Sequence, residues 1–228
     1  MFKEFFELFR KESLLKQAYN RSLEMIREDR EMFLAAMKSL REHDDARIDI
    51  DIYAKDQMIN AYELEVRRHV LTHLTVAQGQ NVHAGMTLVS IVVDIERIGD
   101  YTKNIVALAL QHPGRLKCGS FETDIRKMET TVQTMFNLMI EALPSGDVAK
   151  AREIMSEHWW IAKRSDEIMD YLVAKGDAAL TASEAVSTAL YARYLKRISA
   201  HLMNIASSVV NPFDRIGFRP EEQDGDGD

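Results

Sequence analysis

Cysteine is nearly absent: Cys118 stands alone among 228 residues. No intramolecular disulfide can form and no thiolate cluster can hold zinc, which fits a reducing compartment. Glycine and proline are missing from everything before Gly79, so the first third of the chain carries none of the strong chain breakers. Long apolar runs are missing too. The longest, Met86 to Val93, falls far short of the roughly 20 residues that a membrane span needs. The N-terminus places acids among its aromatics and has no signal-peptide core, so a cytoplasmic protein is expected. Positive charge is in deficit, with 29 basic against 36 acidic residues and a net charge of −7. That balance argues against duplex nucleic acid as a primary partner.

What remains reads as helix. The apolar fraction is 46%, enough for a real core at this length. Leu23, Ile26, Phe33, Met37 and Leu40 repeat at helical spacing, and the polar His43-Asp44-Asp45 predicts a turn. A second helix is expected from Ala46 to Leu74, with Ile52, Ile59, Leu64, Val66, Val70 and Leu71 inward. A third runs from Met86 to Leu110, and His112-Pro113-Gly114 with Gly119 forms the clearest linker. Three more helices follow: Phe121 to Leu143; one capped by Asp147 and ending near Ala174; and one opened by the capping-box pair Thr181 and Glu184. No alternating pattern is long enough for a strand. The expected fold is all-α: two tandem antiparallel three-helix bundles, over 1–112 and 117–210, with a tail over 211–228 that is disordered at its end.

The third helix of each half carries a related string. Asp94-Ile95-Glu96-Arg97-Ile98-Gly99-Asp100 continues to Asn104-Ile105, and Lys196-Arg197-Ile198-Ser199-Ala200 continues to Asn204-Ile205. Arg, Ile, Asn and Ile keep their places. Glu96, Asp100 and Asn104 follow one another at intervals of four, so they share one helix face. Carboxylates stacked in this way repel one another and call for a cation. Gly99, inside a helix where glycine costs about 1 kcal/mol relative to alanine, predicts a close approach by something packed against the backbone.

Glu-Arg-Ile-Gly-Asp followed by Asn-Ile, in the last helix of a duplicated three-helix unit, resembles the PhoU family of phosphate-uptake regulators. Asp56-Gln57-Met58-Ile59-Asn60 and Asp166-Glu167-Ile168-Met169-Asp170 are similar to that family's second acidic motif. The resemblance spans the chain up to Val210. It implies a cytoplasmic regulatory adaptor, not an enzyme, that works with a phosphate transporter and a sensor kinase, with peripheral membrane association and a homodimer as further expectations. It also implies metal on the paired acidic motifs, of the iron, zinc or manganese class. In the first bundle the ligands would be Asp56, Asn60, Glu96 and Asp100, an oxygen-rich set suited to hard or borderline cations. The alternative is a solvated acidic face neutralised by Arg97, Lys103 or Lys55.

The second bundle departs from the pattern. Asp166 and Asp170 remain, but Lys196 and Ala200 stand where the first half has Glu96 and Asp100. The Lys196 ammonium is expected to replace a metal as their counter-charge. Two other classes of function are weaker. A carboxylate-bridged metal enzyme would draw on Glu-x-x-His pairs, and no histidine here has a glutamate three residues before it. A structural helical module serving a different transporter has no motif to mark it. His69 and His73 have zinc-clamp spacing without the catalytic glutamate of a metalloprotease, and the Trp159-Trp160 pair is expected in the core. Phe2, Phe5, Phe6 and Phe9 fall on one arc of a helix and form a candidate partner-binding stripe.

Overall fold

The computed structural model describes residues 13–77, 80–112 and 114–219. Among the described residues six long helices carry the fold: α1 (Leu14–Glu42), α2 (Ile52–Val76), α3 (Val82–Gln111), α4 (Glu122–Ser145), α5 (Val148–Ala174) and α6 (Ala182–Val210). No strand occurs among the described residues.

Caps set most of the boundaries. Ser13 opens α1 by accepting from the Lys16 amide, and Asp147 opens α5 by accepting from Ala149 and Lys150. Thr181 and Glu184 close a reciprocal capping box at the start of α6. The second helix begins later than its apolar spacing suggests. Asp51 caps it through the Ala54 amide at 2.9 Å, while Ala46 takes a left-handed φ of 53°. Ile48 and Ile50 still pack on the core, but from a loop. Pro144 sits inside the last turn of α4; the helix stops two residues later at Gly146, whose φ of 63° is left-handed.

Helices α1, α2 and α3 pack on one another, as do α4, α5 and α6, and α1 meets α4 while α3 meets α6. The two bundles therefore share one continuous core, in which Phe33 of α1 meets Phe136 of α4 with ring centroids 5.6 Å apart. Between α3 and α6 the Asp94 carboxylate accepts from His201 at 2.7 Å and from Asn204 at 2.8 Å. Tyr101 stacks on His201 and lies 6.3 Å from Tyr194. Tyr194 and His201 hold the places in α6 that Asp94 and Tyr101 hold in α3, so the junction has approximate twofold symmetry with unlike residues on its two sides.

A buried Arg41 ties the end of α1 to the second half. Its side chain, only 3% exposed, donates to Glu129 at 2.8 Å, to Glu122 at 2.6 Å and to the Leu116 carbonyl. Tyr191 donates to the same Glu129 oxygen at 2.9 Å. The tail starts in order: Gly217 donates to Ser207, and Asn211 donates to the Arg215 and Phe218 carbonyls. Its end lies outside the described residues.

Several expectations about the core need correction. Leu64 and Leu71 point outward, 58% and 68% exposed, on the same side of α2 as Tyr53. Trp159 is partly exposed as well, whereas Trp160 packs against the core. Each lies under a cation, the Arg219 guanidinium 4.0 Å from one ring and the Lys127 ammonium 4.2 Å from the other.

Candidate metal centre

The acidic row of α3 faces α2 and α1. Ile95 and Ile98 are fully buried and fix the rotation of α3, which turns Glu96 and Asp100 toward the groove beside α2. On α2, buried Ile52 and Ile59 do the same for Asp56, itself 8% exposed. Asp56 and Asp100 meet through a shared cation. The Lys103 ammonium lies 2.9 Å from Asp56 and 2.9 Å from Asp100. Burial works against the charge on Lys103, but those hydrogen bonds outweigh it and hold its pKa above the ordinary lysine value. Arg97 takes the second Asp100 oxygen at 2.9 Å, and Asn60 donates to Asp56 at 3.3 Å. Glu96 is pushed above the usual carboxylate range by burial and then by Asp100. Lys55 lies elsewhere, paired with Glu28 and Glu31.

The sequence reading missed a member of this cluster. Asp29 of α1 is fully buried, and neither of its oxygens has a hydrogen-bond partner. Burial first, then the charges of Glu96, Asp56, Glu28 and Asp100, push its pKa well above the ordinary value. Gly99 is the residue that makes room for it. A Cβ at Gly99 would stand 3.2 Å from the Asp29 Oδ1 and 3.9 Å from the Asp56 Oδ1. The close approach predicted at that glycine is a carboxylate. Only the alignment of the two halves on Met32-Phe33 and Met135-Phe136 hints at Asp29, because it sets Asp29 opposite Val132.

Among the described residues, no three histidine, cysteine, aspartate or glutamate side chains converge with the geometry of metal ligands. The Lys103 ammonium occupies the point between Asp56 and Asp100. The donor chemistry of the first half nevertheless fits a hard or borderline cation, with carboxylate oxygens on three helices and one of them buried without a partner. A surface cavity of about 340 Å³, lined by Arg97, Asp100, Tyr101, Lys103 and Asn104, opens the cluster to solvent.

The second half has no such group. Buried Ile154, His158, Ile161 and Ile168 repeat the spacing of Ile52, Asp56, Ile59 and Val66, so His158 stands in the place of Asp56. Asp166 and Asp170 are exposed. Lys196 reaches both oxygens of Asp166 at 2.7 Å. Ser199, at the place of Gly99, bonds the buried His158 at 3.0 Å. Burial, then the charges of Lys196 and His201, lower the His158 pKa to about 4. Beyond the cluster, the His73 ring contacts Asn81 at 3.4 Å. Phe2, Phe5, Phe6 and Phe9 lie outside the described residues.

Fold and site together define a class: a duplicated three-helix-bundle protein with one acid-lined groove kept and the other lost. The PhoU domain matches residues 22–109 and again 125–209, and the chain belongs to that family. Among solved structures, PhoU from Pseudomonas aeruginosa is similar with a TM-score of 0.70 at 20% identity, over 86% of this chain and 95% of that one. The phosphate transport system regulatory protein PhoU from Streptococcus pneumoniae aligns with a TM-score of 0.64 at 19% identity, over 86% and 91% of the two chains. No curated protein matches this sequence.

Proposed function

We propose that the protein is a cytoplasmic regulatory adaptor that couples a phosphate transporter to a phosphate-responsive sensor kinase through protein contacts and without turnover. The observation that carries this reading is the match of the PhoU domain to both halves, supported by the fold it shares with a phosphate transport system regulatory protein. No described helix is long and apolar enough to cross a membrane, so association with a transporter would be peripheral. Recovery of tagged protein from membranes of phosphate-replete cells tests the proposal. Transporter or kinase components should be retained with it, and their consistent absence would count against the adaptor reading.

The proposal includes a cation held in the first bundle by Asp56, Glu96 and Asp100, with Asn60 as an amide neighbour. When bound, such an ion would neutralise the clustered acids and cross-link α2 to α3. Elemental analysis should find metal in the natural protein and in an Asp166→Ala, Asp170→Ala variant. A Glu96→Ala, Asp100→Ala variant should lack it. Equal metal in all three would remove the first bundle as the site.

A further inference from the structure

We infer that Asp29, contributed by α1, is a buried ligand of the cation held in the first bundle, and that Lys103 is the charge this cation displaces. The inference rests on the metal reading above and extends the ligand set to a third helix. A cluster of surface acids would not carry it. A carboxylate removed from water with both oxygens unpartnered is a different matter, because buried polar groups are nearly always paired. Glu96, Asp56 and Asp100 surround it and supply only negative charge. The nearest ammonium of the cluster, that of Lys103, is spent on Asp56 and Asp100.

Comparison of the halves points the same way. Val132 replaces Asp29, His158 replaces Asp56, Lys196 replaces Glu96 and Ala200 replaces Asp100. Ser199 replaces Gly99, whose missing Cβ leaves room for the Asp29 oxygen. The half that lost the acidic row also lacks the buried carboxylate and the glycine that accommodates it. A merely structural Asp29 would have no reason to vary with the surface acids. With a cation bound to Asp29, Asp56 and Asp100, the Lys103 ammonium is repelled toward the adjoining solvent-open cavity that its own side chain lines.

The test uses the full chain stripped with a chelator and titrated with manganese(II), zinc(II) and iron(II) in turn, read by calorimetry and by the shift in melting temperature. The natural protein should bind at least one of them and melt higher when loaded. Asp29→Asn should melt no lower than the stripped natural protein, since it removes an unpaired buried acid. It should also lose affinity by about tenfold or more and lose the metal-dependent shift. Lys103→Met should bind more tightly than the natural protein. If Asp29→Asn does not fold, Asp29→Val, the residue of the other half, is judged by the same criteria. Binding equal to the natural protein in the Asp29 variant would overturn this inference and leave the Glu96 and Asp100 site standing. No binding by the natural protein would overturn both.

Discussion

Arg41 makes a demanding set of buried contacts, and its cost can be measured. With Glu129 only 7% exposed at the side chain, removal of the guanidinium would leave an uncompensated buried acid. Arg41→Met should therefore destabilise by about 3–5 kcal/mol, read from urea denaturation. Adding Glu129→Leu to it should recover part of the loss, because the buried charge goes with its partner. His158 makes a pH-dependent contribution of the opposite kind. Its folded pKa of about 4 lies below the ordinary 6.5, so the unfolded chain binds more protons between those values and folding weakens as pH falls through that window. The stability lost between about pH 7 and pH 5 should be smaller in a His158→Gln variant; an unchanged loss would mean that His158 is not buried neutral. Neither residue stood out in the sequence. Arginine and histidine are ordinary on helix surfaces, and only packing reveals which ones are taken out of water. Asp29 was hidden for the same reason, as one acid among the five charged residues from Arg27 to Glu31.

At the scale of elements, caps and periodicity were legible and rotation was only partly so. The fifth and sixth helices start where Asp147, Thr181 and Glu184 indicate, because these side chains satisfy first-turn amides locally. Thr181→Ala should cost about 1 kcal/mol, a fall in melting temperature of about 2–4 °C for a chain of this size. A change confined to amide exchange at the start of α6, with no fall in melting temperature, would show that this helix end frays independently. The second helix was harder to read, since Asp51 and Ala46 compete with an apolar pattern that continues into the loop. The error over Leu64 and Leu71 has the same origin. They lie seven apart and share a face, but spacing alone does not say whether that face meets the core or solvent. In the second half the likeness of Asp166 to Asp56 misleads about register, because His158 takes the buried place beside Ser199.

The whole molecule is one folding unit made of two similar halves. Phe33 against Phe136 and Asp94 against His201 and Asn204 join the halves through core and polar contacts alike. Unfolding followed by tryptophan fluorescence, which reports α5, should coincide with unfolding followed by far-ultraviolet circular dichroism. Cys118 offers an independent check. Burial pushes its thiol up to about 11, so a thiol reagent should label it only as fast as the chain opens globally. Separate transitions, or rapid labelling in native buffer, would mean that the bundles open one at a time.

The sequence by itself determined the helical class, the duplication, the family resemblance and the asymmetry between an acidic half and a lysine-bearing one. Those features are written in local spacing and in residue types that recur along a single helix. Tertiary structure decided the rest: that the bundles share one core, that Asp29 joins the acids from a third helix, and that Lys103 lies between Asp56 and Asp100. These depend on how helices far apart in the chain rotate against one another. That rotation is set by the summed burial of many side chains, which no single stretch of sequence contains.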